Sequence, residues 1–451
     1  MQTLFGTDGV RGKANSYPIT PEVCLQIGKA IAAVFKAAGH GSKRAIIGKD
    51  TRLSGYMLEA ALTSGLVSMG MDVYLVGPMP TPAVARLTRS IGAAAGIMIT
   101  ASHNPAPDNG IKIFDSDGFK LSDDIQNEIE ALVLGGEISS HHIDLDNIGK
   151  AYRIEDARGR YIEIAKSTIC SASLAGLTVV LDCANGGAYF LGPLIFKELG
   201  ARLIKIGVDP DGYNINQGCG VTAPEKLAAT VVAEKADIGI ALDGDADRAL
   251  FVDAAGTVIH GDRILGLLAL DLKARGKLVD DTMVTTVMSN IGLHKAMAAN
   301  GIKVVTTAVG DRYVIEKLRT GELSLGGEQS GHIIHRDFST TGDGIITALQ
   351  VLRMIQETGK TVTELGAVVD IYPQKLVNLD VPSKPAIDTL AKLQSAMEAC
   401  DQALGDDGRQ LVRYSGTENM IRVMVEAATA DLVDEWSDRL IAAVSHDFGI
   451  S

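Results

Sequence analysis

The sequence predicts an α/β protein: three similar α/β domains with mixed sheets and a smaller C-terminal α+β domain. Three observations lead there. A strand, a helix, a glycine and a second strand follow one another three times. After each of these units an apolar run breaks into a polar loop and then resumes. Beyond residue 370 the order changes to helix, strand, strand, helix. Domains are expected over 1–152, 153–255, 256–369 and 370–451.

The first unit has a strand at Arg44–Gly48 and a helix over Ser54–Met69 with Leu58, Leu62 and Leu66 at helical spacing. Gly70 stops that helix, and Asp72–Val76 is the second strand. The second unit runs from Thr178–Asp182 through a helix ending at Leu199 to Ala201–Ile206. The third runs from Thr282–Met288 through a helix ending at Asn300 to Ile302–Thr307. Three polar loops follow in turn. Gly96–Thr100 leads into Ala101-Ser102-His103-Asn104-Pro105, with a strand again at Ile111–Phe114. Ile238–Leu242 leads into DGDADR and then Ala249–Val252. Leu323–Leu325 leads into GGEQSGH and then Ile333-Ile334. Ligands of open α/β sheets bind at such strand ends. The stretch from Asp370 to Pro385 carries Pro373, Pro382 and Pro385 and reads as a boundary, with a second candidate at 141–159. After it come a helix over 387–399, strands over 410–414 and 421–426, and a helix over 432–444.

Hydrophobic residues make up 46% of the 451 positions and aromatics only 4%, while 49 glycines supply turns. Mean hydropathy is +0.16. A net charge of −13 argues against nucleic acid or an anionic membrane as partner, and an anionic substrate would need a locally basic site. The start has neither a basic nor an apolar leader segment, and no apolar run reaches membrane-spanning length. The five cysteines are scattered without a C-x-x-C pair. A cytoplasmic, reduced protein is expected.

Each loop carries its own chemistry. Asp243, Asp245 and Asp247 alternate, so in an extended segment their side chains point one way. Three convergent carboxylates need a cation, and all-oxygen ligands suit Mg²⁺. An EF-hand does not fit, because Arg248 and Ala254 stand where it needs Gly and Glu. The alternative is a solvated acidic turn. Arg413, Ser415, Gly416 and Thr417, with Arg422 beyond, form a donor cluster suited to phosphate; the alternative is a surface turn. Glu328, Gln329 and Ser330 among glycines suit sugar hydroxyls, or are simply a turn. Ser102 lacks a hydrolase elbow but can carry a phosphoryl group, whose charge of roughly −2 would find a cation on the Asp loop. Lys112 would then carry a proton or stabilise charge; otherwise it is a surface lysine on an edge strand.

In this order, TASHNP, DGDADR, GEQSGH and RYSGTE resemble the four signature loops of the α-D-phosphohexomutase family, one per domain along the whole chain. LFGTDGVRG at 4–12, STTGDG at 339–344 and RVMVE at 422–426 are similar to its amino-sugar branch. The resemblance implies a heart-shaped molecule around a central cleft, a small-molecule sugar-phosphate substrate and a possible homodimer. It implies interconversion of glucosamine 6-phosphate and glucosamine 1-phosphate for UDP-N-acetylglucosamine synthesis. It carries Ser102 over as phosphoserine, and Asp243, Asp245 and Asp247 as Mg²⁺ ligands together with a Ser102 phosphate oxygen. Glu328 and Ser330 carry over as sugar readers. Arg413, Ser415, Gly416, Thr417 and Arg422 carry over as the phosphate loop. Arg11, Lys112 and His332 carry over as proton-transfer or charge-stabilising groups, and Val309-Gly310-Asp311 as a further substrate loop. Tyr414 and Asn419 depart from the family, which commonly has proline or lysine at the first position and proline at the second. The rivals are the same chemistry on glucose or mannose phosphates, a sugar-phosphate phosphatase and a non-catalytic binder.

Overall fold

A computed structural model describes residues 4–6, 8–39, 41–141, 143–170, 172–415 and 419–450. The chain forms two compact units. One holds the residues up to Met288 together with Ile302–Ala367; the other holds Ser289–Gly301 and the residues from Val368 onward.

The first unit contains three mixed sheets. The strands of the first are β1 (Val10–Lys13), β2 (Arg44–Lys49), β3 (Asp72–Pro78), β4 (Ala95–Ile99), β5 (Asp108–Phe114) and β6 (Ala151–Arg153), in the order β1-β5-β4-β2-β3-β6. The second has β7 (Thr178–Asp182), β8 (Arg202–Ile206), β9 (Ile238–Leu242), β10 (Ala249–Asp253) and β11 (Val258–Ile259), in the order β11-β10-β9-β7-β8. The third has β12 (Thr282–Thr286), β13 (Lys303–Thr307), β14 (Leu325–Gly327) and β15 (Ile333–His335), in the order β13-β12-β14-β15.

The three expected units are the parallel pairs β2/β3, β7/β8 and β12/β13. The three polar loops connect the antiparallel pairs β4/β5, β9/β10 and β14/β15. Each sheet is therefore mixed for one reason: a parallel crossover unit is extended by a strand that turns back at the loop. Every residue of β4, β9 and β12 is buried, which explains their unbroken apolar reading.

Against the first sheet pack the helices Pro21–Ala37 and Ser54–Ser68. Thr20 caps the first by accepting from Val23 N, and Pro21 opens it. Ile27, Ile31, Leu58, Leu62 and Leu66 are fully buried between them. Each contributes at most about 1.5–3 kcal/mol of transfer free energy. The helices approach closely because Gly28 and Gly65 face one another: a Cβ on Gly65 would lie 2.2 Å from Leu25 O.

The second unit differs from expectation at its start. The proline-bearing stretch is no linker: Gln374–Asp380 is β16, paired along its length with β18 (Met420–Ala427), which also pairs with β17 (Gly408–Tyr414). Pro373 and Pro382 bracket β16, and prolines are tolerated at the margins of an edge strand. The boundary expected there falls just before the strand, since the second unit resumes at Val368. Helices Ala391–Leu404 and Ala430–Phe448 complete this part. The third crossover helix, Ile291–Ala299, belongs to this unit as well. It is tied in by Glu426, which is fully buried and accepts from Asn290 Nδ2 (3.2 Å), Ile291 N (3.2 Å), Gln374 Nε2 (2.7 Å) and Arg409 Nε.

Candidate active site

The loop after β4 puts Ser102 in the left-handed region, at φ 51°. Few non-glycine residues sit there. The side chain is 1% exposed, and its Oγ donates to Asp243 Oδ2 at 2.6 Å with His103 Nδ1 3.2 Å away.

Asp243, Asp245 and Asp247 do converge, but not by strand alternation. The segment after β9 is a turn, with Ala246 at φ 56° and its N–H donating to Asp243 O at 3.0 Å. Gly244 has no room for a side chain, since a Cβ would lie 2.5 Å from Ser102 O. The three carboxylates are buried and offer ligand atoms within 4.8 Å of one another. Among the described residues Asp245 Oδ1 and Asp247 Oδ1 have no hydrogen-bond partner. Buried, unsatisfied carboxylate oxygens in an all-oxygen cluster fit a hard divalent cation.

Lys112 is a buried lysine on an inner strand, so the edge-strand surface alternative is wrong: β5 lies between β1 and β4. Its Nζ lies 2.9 Å from both Asp245 Oδ2 and Asp247 Oδ2 and 3.4 Å from Asp8 Oδ2. Burial pulls its pKa down, but Asp245, Asp247 and Asp8 outweigh that and hold it well above the usual lysine value. For Asp247, burial opposes ionisation, while Lys112, His332 and Arg248 together hold the carboxyl well below the usual range. Asp243 goes the other way: burial, then Asp247 and Asp245, push it well above that range.

A ring of charge surrounds this centre. Arg11 on β1 donates to Asp8, and Lys120 bridges Asp8 and Asp311. His332 is buried, its Nε2 3.4 Å from Asp311 Oδ2 and 3.9 Å from Asp247 Oδ2. Glu328 accepts from Gly310 N at 3.3 Å, and burial raises its pKa. Ser330 is exposed at the tip of the same loop. Thr81, at the start of helix Thr81–Ile91, donates through Oγ1 to Asp245 Oδ2 at 2.5 Å.

Asp8, Thr81, Lys120 and Arg52 were not singled out from the sequence. Asp8 lies inside the quoted opening motif, and Arg52 follows a strand end in Lys49-Asp50-Thr51-Arg52, a charged run after an apolar strand. Thr81 and Lys120 carry no comparable signal.

In the second unit, Arg413 on β17 stands directly opposite Arg422 on β18. Like charges in that position repel. Burial and then Arg422 lower the pKa of Arg413. Ser415 follows, its N–H donating to Met420 O at 2.8 Å and its carbonyl accepting from Lys384 Nζ at 2.7 Å. Gly416 and Thr417 lie outside the described residues.

Comparison with known proteins agrees with this architecture. Four family models of phosphoglucomutase/phosphomannomutase match in order: alpha/beta/alpha domain I at 2–138, domain II at 160–256, domain III at 260–372 and the C-terminal domain at 376–443. A phosphoglucosamine mutase of Syntrophotalea carbinolica is 49% identical over 448 residues, covering 99% of this chain and 98% of that one. One of Myxococcus xanthus is 51% identical, covering 98% and 97%. Among solved structures, a phosphoglucomutase/phosphomannomutase family protein of Burkholderia thailandensis aligns with a TM-score of 0.84 at 24% identity, covering 98% and 97%. The N-acetylphosphoglucosamine mutase of Aspergillus fumigatus, solved with GlcNAc-6P and magnesium, aligns at 0.67 and 19% identity, covering 99% and 96%.

With four of its domain models matched in order along nearly the whole length, this chain belongs to the phosphoglucomutase/phosphomannomutase family. Within that family, relatives at 49–51% identity over nearly the full chain, those of Syntrophotalea carbinolica, Pelobacter propionicus and Myxococcus xanthus, are phosphoglucosamine mutases. No helix among the described residues is long and apolar enough to cross a membrane.

Proposed function

We propose that the protein is a phosphoglucosamine mutase, an isomerase that interconverts glucosamine 6-phosphate and glucosamine 1-phosphate through a phosphoserine at Ser102. The observation that carries this is Ser102 Oγ held 2.6 Å from Asp243 Oδ2 within a buried oxygen triad.

In the first step the P–O bond to Ser102 Oγ breaks as a bond forms from the free sugar hydroxyl to phosphorus. The hydroxyl proton leaves to a basic group of the site, the departing Ser102 Oγ takes up a proton from an acidic group of the site, and the products are a 1,6-bisphosphate and Ser102 with a free hydroxyl. After the intermediate turns over, Ser102 takes back the other phosphoryl group. Asp243, Asp245 and Asp247 would hold Mg²⁺, which when bound supplies charge neutralisation to the transferring group. Lys112, charged and facing the same oxygens, stabilises charge on the other flank, with Arg11 and His332 beside it. Glu328 and Ser330 read sugar hydroxyls. Arg413, Ser415, Gly416, Thr417 and Arg422 hold the phosphate that is not reacting.

The four domains expected from the sequence, each bringing one loop, remain our proposed division, as do a cytoplasmic site and a homodimer. The test is mutase turnover with Mg²⁺ on glucosamine, glucose and mannose 6-phosphates side by side. Strong preference for the amino sugar is expected. Equal turnover of the neutral sugars would reassign the substrate, and net release of inorganic phosphate would make the enzyme a phosphatase. Ser102→Ala should abolish turnover; wild-type rates in that variant would end the reading.

A further inference from the structure

The loop that carries Ser102 does not support itself. Its backbone carbonyls are gripped from two sides by side chains that never touch the reacting oxygen. From one side comes Arg52, fully buried just beyond β2. Its Nη2 donates to Ser102 O at 3.0 Å and to Asn104 O at 2.8 Å, and its Nη1 donates to Pro105 O at 2.6 Å. From the other side comes Asn216, in the segment between β8 and β9. Its Nδ2 donates to the same two carbonyls, Ser102 O at 2.9 Å and Asn104 O at 3.0 Å. Two donors and two acceptors form a closed square behind the serine.

A second layer fixes the first. Asp50 accepts from Arg52 Nε at 2.9 Å, from Arg52 N at 2.9 Å and from Thr100 Oγ1 at 2.7 Å. Thr100 Oγ1 in turn accepts from Ser102 N at 2.9 Å. The N–H and C=O of Ser102 are thus both engaged, and both lead back to Asp50 and Arg52.

This arrangement answers a specific cost. A left-handed serine is disfavoured by roughly 1–2 kcal/mol and persists only where its surroundings over-determine it. We propose that Arg52, Asp50, Thr100 and Asn216 are positioning residues that lock Ser102 in its left-handed backbone and so aim Oγ at Asp243 for both phosphoryl transfers. Gripping the carbonyls also ties up their negative ends next to the site where phosphoryl charge passes. Because Asn216 comes from the second sheet's connections and Arg52 from the first, the aim of the serine is set jointly by two sheets. The inference rests on Ser102 being the phosphoryl carrier.

The test uses the full chain with Mg²⁺. Thr100→Val keeps the shape and removes the acceptor of Ser102 N–H; Thr100→Ser restores it. Asn216→Asp turns a donor into a repelling oxygen against two carbonyls. Two quantities are read: kcat and KM for glucosamine 6-phosphate, and the initial rate at which Ser102 gains a phosphoryl group from glucose 1,6-bisphosphate, followed by intact mass. Misaim of a reacting atom costs on the order of 10–100-fold in rate. Thr100→Val and Asn216→Asp should therefore lose about tenfold or more in kcat and in phosphoryl uptake, with KM within about twofold. Thr100→Ser should recover both rates. Arg52→Lys should lose more, and the milder pair decides the matter if that variant does not fold. An active wild type whose Thr100→Val and Asn216→Asp variants keep kcat, or change KM alone, overturns the clamp by itself. A wild type that neither turns over nor takes up phosphoryl overturns the mutase reading and the clamp with it.

Discussion

Lys112 and the carboxylates around it hold one another in place, so the removal of either leaves buried charge uncompensated. Truncating one partner of a buried ion pair costs about 3–5 kcal/mol, because the partner stays behind. Lys112→Met should therefore destabilise the metal-free protein by about 3 kcal/mol. Added Mg²⁺ should raise the thermal midpoint of the variant more than that of the wild type, since both cations answer the same oxygens. Equal shifts in the two proteins would contradict this. Asp343 makes a pH prediction. Burial pushes its carboxyl up to about 7, against hydrogen bonds from Ile346 N and Tyr161 Oη. A carboxyl raised in the folded state favours folding when protonated; that contribution is complete below the unfolded value of about 4. It is lost as pH rises through about 7. Asp343→Asn should therefore gain on the wild type by about 2 kcal/mol between pH 5 and pH 8 in urea unfolding. A constant difference would refute it. At this scale the chemistry of the site was legible, because carboxylates, arginines and a serine at strand ends announce themselves by type. The conformation of Ser102 was not, since left-handed positions are usually flagged by glycine or asparagine. Nor was the role of Arg52, which depends on carbonyls of a loop far along the chain.

Strands and helices were read well where burial is one-sided or complete. β7 and β9 fall where their apolar runs lie, and the loops between antiparallel strands follow from the break in those runs. β16 was missed because two prolines bracket it and its exposed face carries Asn378 and Asp380, so the stretch read only as a boundary. β14 begins at Leu325 rather than Leu323, the glycines of the loop being drawn into the strand by pairing with β15. The contact between helices Pro21–Ala37 and Ser54–Ser68 gives a prediction in which two effects compete. Gly65→Ala gains about 1 kcal/mol of helix propensity. It also drives a methyl to 2.2 Å from Leu25 O, a backbone atom that cannot swing aside. Overpacking of that kind costs about 1–3 kcal/mol, so net destabilisation of about 1 kcal/mol is expected. A thermal midpoint at or above that of the wild type would show that the helices can part without cost.

At the scale of the whole molecule, a chain with a net charge of −13 carries local concentrations of positive charge in each unit: Arg11, Lys112 and Lys120 in one, and the facing Arg413 and Arg422 in the other. The number of α/β repeats and the change of character near residue 370 were legible from periodicity alone. The membership of the second unit was not, because it takes in a helix that the sequence assigns to the third repeat. Glu426 joins that helix to the C-terminal sheet through Asn290 and Ile291. A fragment of residues 368–451 alone should accordingly fold poorly by circular dichroism, and a fragment that also carries 289–301 should fold better. The same tie limits how these genes can be shuffled. A crossover near residue 370 would hand a hybrid one lineage's terminal sheet and the other's helix, with Glu426 facing a stranger. Lineages that exchange this end of the enzyme intact must exchange two stretches of coding sequence together, and a family tree drawn from residues 289–301 should follow that of the C-terminal segment more closely than that of the residues around it.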